Sequence, residues 1–274
     1  MPSIRVEAAA YWALFVATFL AAAVWESFRP KSPLAVGAER RWTSHGLLFV
    51  VSTAFSAVVL RLSPVVLARM VADSGFGVLN HPWLPYPLRF LAGILALDLV
   101  HYGTHWTYHH VPWLWRVHQV HHSDREYDVS TGARFHPLEP MLTNAAYLGV
   151  VAVLAPPTAA AVVAQLLTVA INFFVHANAS LPGWAERITR AVFVTPDLHR
   201  IHHSVEISDQ QSNFGQTFPW WDRLFGTFSA QSSATGGLLV TGLRGVEHGD
   251  NLGLIFMLTA PFLTPLKQQK DPAD

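Results

Sequence analysis

The sequence contains no cysteine and little charge. The absence of Cys among its 274 residues excludes disulfides, thiolate metal sites and a cysteine nucleophile. Charged residues make up 13% of the chain, about half of the roughly 25% usual in soluble domains. The 18 basic and 18 acidic residues cancel, so the basic excess typical of nucleic-acid-binding proteins is missing and no nucleic-acid partner is expected. With 51% hydrophobic residues, this composition indicates a membrane-embedded protein.

Four apolar stretches have the character of membrane helices. They cover residues 8–25, 46–60, 88–102 and 140–175. The first lacks the basic start of a signal peptide, so we expect it to span the membrane. The second is interrupted after its end by Arg61, Pro64 and Arg69, so it either spans as a kinked helix or only dips into the bilayer.

The adjacent prolines Pro156 and Pro157 divide the uncharged stretch 140–175, because two prolines stop a helix. This pattern predicts a transmembrane hairpin over residues 140–176. A last apolar stretch, residues 252–266, contains Pro261 and is interpreted as an interfacial helix.

These features predict an all-α, integral-membrane helical bundle with about four transmembrane helices and a cytoplasmic, histidine-rich helical cap. The basic residues Arg29, Lys31, Arg40 and Arg41 favour a cytoplasmic loop after the first helix, although Arg61 and Arg69 on the outer side oppose it. We therefore expect a bacterial inner-membrane protein whose histidines face the cytoplasm. The predicted division of the single membrane domain 1–274 is N-terminal transmembrane helices 8–109, a first cytosolic histidine region 110–139, the hairpin 140–176, and a second histidine region with an aromatic cap 177–250.

Most of the 15 histidines lie in two short stretches. His101 and His105 are four residues apart, so one helical face presents both to a single metal ion. Asp98 lies one turn earlier on that face and could accept the second ring proton of a ligand. His109 continues the same face, as either a ligand or a partner of the ligands.

Two further clusters share one spacing. His118, His121 and His122 lie at positions i, i+3 and i+4, and a serine follows them. The same arrangement recurs with the same trailing serine at His199, His202 and His203. Pro196 suits the start of the helix that carries this later cluster. His176 lies between the clusters, where the hairpin leaves the membrane.

The histidine clusters predict a metal site. Neutral imidazoles packed together need partners for two ring nitrogens each, and a metal ion satisfies one of them. Eight or more ligands imply two metal ions, since a single zinc takes about four. Imidazole suits zinc, copper, iron and nickel, so the residues alone leave a redox oxygenase and a di-zinc hydrolase open. A membrane metal transporter is a further alternative, but the histidines gather at one face instead of lining the spans.

Three histidine boxes in this order, with a hydrophobic hairpin between the second and third, resemble the fatty acid hydroxylase and sterol desaturase superfamily of integral-membrane oxygenases. The boxes are His101-x-x-x-His105, His118-x-x-His121-His122 and His199-x-x-His202-His203. Matching phrases include Asn213-Phe214-Gly215 and residues 221–227, and the resemblance extends over roughly residues 89–227.

The resemblance implies a di-iron centre that uses O2 and two electrons to hydroxylate or desaturate a C–H bond of a lipid, with hydroxylation favoured. It implies a sterol, a fatty acyl chain or a related lipid as substrate. Electrons are expected from a separate NAD(P)H-linked donor, such as a reductase, a ferredoxin or a b-type cytochrome.

The resemblance also implies the ligand set. The implied ligands are His101, His105, His118, His121, His122, His199, His202 and His203, with His176 as a ninth. His109, His136, Asp98, Asp197 and Asp222 are further candidates, either as ligands or as partners of the ligands. Asp222 and Arg223 are expected to tie the aromatic cap to a histidine box by a charge-assisted hydrogen bond.

Overall fold

The chain folds into helices, as the sequence predicts. The computed structural model describes residues 2–234, 239–246, 249 and 252–263. The helices are α1 (Pro2–Phe28), α2 (Ala38–Leu60), α3 (Pro64–Ala72), α4 (Tyr86–His110), α5 (Pro112–His122), α6 (Leu138–Leu154), α7 (Thr158–His176), α8 (Gly183–Val192), α9 (Pro196–His202), α10 (Ile207–Gln210), α11 (Trp220–Phe225) and α12 (Leu254–Leu263). Two short 3₁₀ turns cover Val78–Asn80 and Val129–Ala133.

Three segments of the described chain are long and apolar enough to cross a membrane, judged by length and composition. They are Val6–Phe28, Ala38–Ala72 and Thr158–His176. Leu138–Leu154 is a shorter apolar helix. Helix α4 carries Arg89, Asp98 and several histidines within its predicted apolar stretch or next to it. It is not among the three segments that are apolar enough to cross a membrane.

The apolar stretch that ends at Arg61 continues after a short break. Arg61 adopts a left-handed backbone conformation (φ 52°) and caps the end of α2. The hydroxyl of Ser63 accepts the backbone N–H of Val66 at 3.2 Å, and Pro64 occupies the first turn of α3. The helix is thus interrupted between Leu60 and Pro64, at the residues that the sequence marks as a break.

The two prolines separate the arms of the predicted hairpin. Ala155 ends α6 in a left-handed conformation (φ 46°), and α7 begins directly after Pro156 and Pro157. Helix α4 lies very close to this turn at Gly93, where an added Cβ atom would come within 2.8 Å of the Pro156 side chain and 2.9 Å of Ala160. The absence of a side chain at Gly93 therefore lets α4 pack against the hairpin.

Helix α7 also packs against α1 through aromatic side chains. Phe15 and Phe19 of α1 contact the buried ring of Phe173 edge to face, with ring centroids 4.7 Å and 5.4 Å away. Helix α12 covers α5 on another side, where Met257 packs with Val120 and with Leu48 of α2. Helix α12 falls within the predicted stretch 252–266, of which residues 264–266 lie outside the described chain.

A fully buried ion network fixes the chain after α5. The Arg41 guanidinium of α2 donates two hydrogen bonds of 2.8 Å to Asp124 and two of 2.9 Å to Asp128. Burial alone would raise the pKa of Asp124, but the Arg41 charge dominates and holds it well below its usual value. Asp128 also caps the 3₁₀ turn Val129–Ala133 by accepting the backbone N–H of Ser130 at 2.9 Å. The network thus anchors the segment that follows the second histidine box.

Replacing Arg41 by Met is expected to destabilise the fold by about 3–5 kcal/mol, because two buried carboxylates lose their counter-charge. Chemical denaturation of the detergent-solubilised protein measures this loss. Arg40→Met is the matched control, since the exposed Arg40 makes one long hydrogen bond to a backbone oxygen. Equal stability of the two variants would contradict a structural role for the network.

Candidate metal centre

Four parts of the chain bring nine histidines to one buried place. Helix α5 begins at Pro112, directly after α4 ends, so the chain reverses and the two helices present their histidines to each other. Helix α9 begins at Pro196, as predicted, and the Thr195 hydroxyl accepts the backbone N–H of Leu198 at 3.3 Å. The nine are His105 and His109 from α4, His118, His121 and His122 from α5, His176 at the end of α7, and His199, His202 and His203 from α9 and its C-cap.

The nine histidines form two groups, each able to surround one metal ion. In each group, one ring nitrogen per residue lies within 4.8 Å of the corresponding nitrogen of every other member. The five-histidine group consists of His105, His109, His118, His122 and His202, and the four-histidine group consists of His121, His176, His199 and His203. The groups adjoin, because the rings of His122 and His203 are stacked with centroids 4.4 Å apart.

The ring nitrogens meet the requirements of metal ligands. Eleven buried imidazole nitrogens in eight of these residues have no hydrogen-bond partner within the described chain. In the four-histidine group, Nε2 of His176 lies 3.3 Å from Nε2 of His121 and 3.2 Å from Nε2 of His199. Leaving so many buried nitrogens unpaired would cost about 1–3 kcal/mol each. A metal ion in each group would bind one nitrogen of every ring, so the donor set fits two ions.

Burial keeps these imidazoles in the neutral form that binds metal. It lowers the pKa of His118 to about 3. Burial also lowers the pKa of the other five histidines of boxes two and three well below its usual value, and the neighbouring imidazoles lower it further. These are His121, His122, His199, His202 and His203. The site therefore offers lone pairs at neutral pH instead of a cluster of positive charges.

Backbone carbonyls fix the orientation of three rings. Nδ1 of His105 donates to the Phe214 carbonyl at 2.8 Å, that of His202 to Ser212 at 2.7 Å, and that of His176 to Asn172 at 2.7 Å. Because a carbonyl oxygen only accepts, each Nδ1 carries the proton and each Nε2 keeps its lone pair for a metal.

A carboxylate orients a fourth ring. Nδ1 of His118 donates to Oε1 of Glu139 at 2.8 Å. The second oxygen of Glu139 is buried and has no hydrogen-bond partner among the described residues. A carboxylate in this position makes the imidazole a stronger donor to a metal. The sequence analysis did not find Glu139, since nothing in its spacing from the boxes marks it.

The structure brings together eight of the nine predicted ligands and leaves His101 outside both groups. Nδ1 of His101 instead forms a 2.7 Å hydrogen bond with the hydroxyl of Tyr147 in α6. His109 lies in the five-histidine group. Helix α4 contains two overlapping i, i+4 pairs, His101 with His105 and His105 with His109. The fold places the second pair next to the histidines of the other boxes.

The remaining candidates are not members of either group. His136 contacts the Leu258 carbonyl at 3.3 Å, and Asp197 pairs with Lys31 and accepts the Ser180 hydroxyl at 2.7 Å. Asp98 accepts the indole N–H of Trp221 at 2.8 Å and the backbone N–H of Thr217 at 3.3 Å, so it ties α4 to the aromatic cap and not to a ligand ring.

Asp222 acts on the centre through the backbone. It accepts the N–H groups of Phe214 and Gly215, both at 2.8 Å, and so holds the carbonyl that orients His105. Arg223 donates to the Arg190 carbonyl at 3.0 Å, away from the histidine boxes. The expected link between the aromatic cap and a box is therefore made by Asp222 through Phe214.

A cavity of about 300 Å³ adjoins the histidines. Members of both groups line it, including His105 and His118 from one and His121 and His176 from the other. Side chains from all three candidate spans also line it, among them Phe15, Phe49 and Val169. The cavity therefore connects the histidine groups with the interior of the helical bundle.

Fold and site together define a class: helical proteins with apolar, membrane-length helices and a buried histidine site able to bind metal. A family model described as fatty acid hydroxylase matches residues 90–227, about half of the chain. The chain belongs to this family.

Characterised relatives are lipid-modifying enzymes. The chain is 29% identical over 188 residues to the alkylglycerol monooxygenase of Homo sapiens, covering 66% of this chain and 41% of that protein. It is 28% identical over 189 residues to the ornithine lipid hydroxylase OlsE of Rhizobium tropici, covering 68% and 56%. The chain thus spans about half the length of the curated relatives it matches. No solved structure is detectably similar to it.

His109→Ala is expected to lower the metal content of the purified protein, because the five-histidine group loses one of its five donors. His101→Ala is the matched control from the same helix face and is expected to keep the full metal content. Elemental analysis of both purified variants measures the difference. Metal loss in the His101 variant with retention in the His109 variant would reverse this order of importance.

Glu139→Ala is expected to weaken metal binding by about 10–100-fold, because His118 loses the acceptor that orients it. Glu139→Gln keeps an oxygen acceptor in the same position and is expected to retain most of the affinity. Titration against a competing chelator measures both values. Equal affinity of the alanine variant and the unmodified protein would disprove the orienting role.

Proposed function

We propose that this protein is a membrane-embedded di-iron oxygenase that uses O2 to hydroxylate a C–H bond of a lipid. One observation carries the proposal: two adjoining, buried groups of imidazole donors line a cavity among the membrane-length helices. Membership of the fatty acid hydroxylase family supports iron over other imidazole-binding metals, and it supports a lipid substrate.

The nine clustered histidines are the proposed ligands. The five-histidine group would hold one iron and the four-histidine group the other. His109 takes the place that the sequence analysis gave to His101. Glu139 and the carbonyls of Phe214, Ser212 and Asn172 would fix the ring orientations.

When bound, the iron pair supplies the redox chemistry that oxidises an unactivated C–H bond. Each turnover joins one oxygen atom of O2 to the substrate carbon and releases the other as water. This balance takes two electrons and two protons from outside the lipid. We propose that a separate NAD(P)H-linked donor supplies the electrons, namely a reductase, a ferredoxin or a b-type cytochrome.

The chain's own residues contribute burial and position. The histidines are almost completely shielded from solvent, with His122, His202 and His203 at 0% exposure, so bulk water is kept from the reacting centre. The cavity is lined by residues of the membrane-length helices, so a lipid substrate would enter it from the membrane. Hydroxylation, in preference to desaturation, is the proposed outcome.

The proposed orientation has the histidine regions in the cytoplasm of a bacterial inner membrane. Support comes from contacts that basic residues of the α1–α2 loop and of the first turn of α2 make with the histidine regions. Lys31 pairs with Asp197 beside the third box, and Arg41 pairs with Asp124 after the second. The loop and the boxes therefore share one side, and positively charged loops favour the cytoplasm.

Isotope labelling tests the function directly. Purified protein in lipid nanodiscs, loaded with iron and given a reductase, is expected to transfer labelled oxygen from O2 into a lipid detected by mass spectrometry. The His109→Ala variant should produce none above background, because its metal centre is incomplete. Lipid cleavage without O2 in a zinc-loaded sample would favour a di-zinc hydrolase, and metal flux across liposomes would favour a transporter.

A further inference from the structure

We infer that helices α8 and α11 form an interfacial anchor, a surface that lies in the headgroup region of the bilayer and prefers anionic lipids. Both helices fall within the region 177–250, which the sequence analysis expects in the cytosol. Their residues belong neither to the two histidine groups nor to the cavity wall. The inference therefore does not depend on the oxygenase proposal.

Helix α8 presents an exposed apolar stripe. Trp184, Ile188 and Val192 follow one another at four-residue spacing, so they lie on one face of the helix. All three are exposed, and the exposed fractions of Trp184 and Ile188 are 70% and 65%. On the other side of the helix, Glu186 and Thr189 are half-buried against the protein. Large apolar side chains gathered on one exposed face indicate a surface that has a partner.

Helix α11 extends this apolar surface. Trp220, Leu224 and Phe225 are exposed, Leu224 to 68%. The indole N–H of Trp220 donates to the Ala191 carbonyl at 3.0 Å, so α11 is fixed to the last turn of α8. The exposed apolar faces of the two helices therefore adjoin.

The anchor is continuous with a membrane-length helix. Phe218 stacks on Trp220 of the anchor with ring centroids 4.5 Å apart, and on Phe193, directly after α8, with centroids 5.8 Å apart. Phe218 belongs to one apolar cluster with Ile94 of α4 and Ala160 of α7. Since α7 is long and apolar enough to cross a membrane, the surface next to it favours lipid as its partner over a soluble protein.

The exposed charges of the anchor are positive. Arg187 of α8 and Arg223 of α11 are exposed. Each helix has one acidic residue, and neither offers a free negative charge at the surface. Glu186 accepts Nε of Arg190 at 2.7 Å, and Asp222 is completely buried. Arginine beside tryptophan and leucine is typical of helices that lie in the interface of anionic membranes. A second copy of this face would instead bring like charges together.

The anchor is also joined to the third histidine box. The Thr195 hydroxyl, which caps α9, donates to Glu186 of α8 at 2.6 Å. Asp222 of α11 holds the backbone N–H groups of Phe214 and Gly215. The anchor and the third box therefore have a fixed relative position, so an anchor in the headgroup region places the box next to the same leaflet.

Site-specific fluorescence quenching tests the inference on the full chain. Because the chain has no cysteine, one introduced cysteine carries one label. Ile188→Cys and Leu224→Cys label the anchor, and Ser208→Cys labels an exposed control site in α10. The protein is placed in nanodiscs of equal parts phosphatidylcholine and phosphatidylglycerol. We expect brominated acyl chains to quench the two anchor labels, and aqueous acrylamide to quench the control label.

The lipid preference is measured with the Ile188→Cys label, using nanodiscs in which only one of the two lipids is brominated. We expect half-quenching at about a fivefold lower content of brominated phosphatidylglycerol than of brominated phosphatidylcholine, the enrichment typical of one arginine near an anionic surface. Arg187→Gln should remove most of this difference. Arg61→Gln removes an exposed arginine at the end of α2 and should leave it unchanged. An unchanged thermal unfolding temperature shows that each variant is folded.

The outcomes separate this inference from the oxygenase proposal. Acrylamide quenching of the anchor labels would show that the surface faces water, and shielding from both quenchers would show that a protein or a second copy covers it. Either result, equal quenching by the two lipids, or no effect of Arg187→Gln overturns the inference, even if labelled oxygen enters a lipid. Quenching of both anchor labels by lipid, with a preference that requires Arg187, upholds it even if no lipid is oxidised.

Discussion

Nine imidazole rings buried against one another have to be neutral, held in a fixed orientation and given partners for their ring nitrogens. Most of the contacts around them serve these three requirements. A buried ring nitrogen without a partner costs about as much as a lost hydrogen bond, and eleven such nitrogens meet in this site. Typical domain stability is only about 5–15 kcal/mol, so the chain cannot bear this cost unaided. Bound metal is the partner that the ring chemistry calls for, and its binding would add to the stability of the fold.

The scaffold supports the rings from outside by a second layer of polar contacts. Carbonyls of Phe214 and Ser212 lie on the loop after the third box, and the Asp222 carboxylate holds that loop by two backbone N–H groups. Arg41 likewise anchors the segment after the second box through Asp124 and Asp128. Both sets of contacts hold irregular backbone, which has no helical hydrogen bonds to fix it. Without them, the backbone groups that orient the rings would have no fixed position.

Sequence reasoning went furthest where one local rule decides the structure. Adjacent prolines at 156 and 157 allow no continuous helix, and Pro196 after a capping threonine starts one, so both features were predictable. The spacing of boxes two and three likewise specifies one helical face. These are properties of a few neighbouring residues, and the fold does not override them.

The register of the first box shows where such rules stop. His101, His105 and His109 follow one another at equal spacing, so two i, i+4 pairs are equally good on an isolated helix. Which pair faces the other boxes depends on the position of α4 along its axis relative to α5 and α7. The close packing of Gly93 against Pro156 helps to set that position. The role of Glu139 was out of reach for the same reason, because its contact with His118 joins two helices whose relative position no local pattern encodes.

Helix α7 couples the metal centre to the cavity. Its Asn172 carbonyl orients His176, while the Asn172 side-chain amide donates to the Gly132 carbonyl at 2.7 Å. An added Cβ atom at Gly132 would lie 2.9 Å from that amide and 3.2 Å from the His176 ring, so the contact leaves no spare room. About three turns before His176, Gln165 lines the cavity from the same helix. One helix therefore carries both a histidine of the four-histidine group and part of the cavity wall, so the helix itself sets the position of that wall relative to His176.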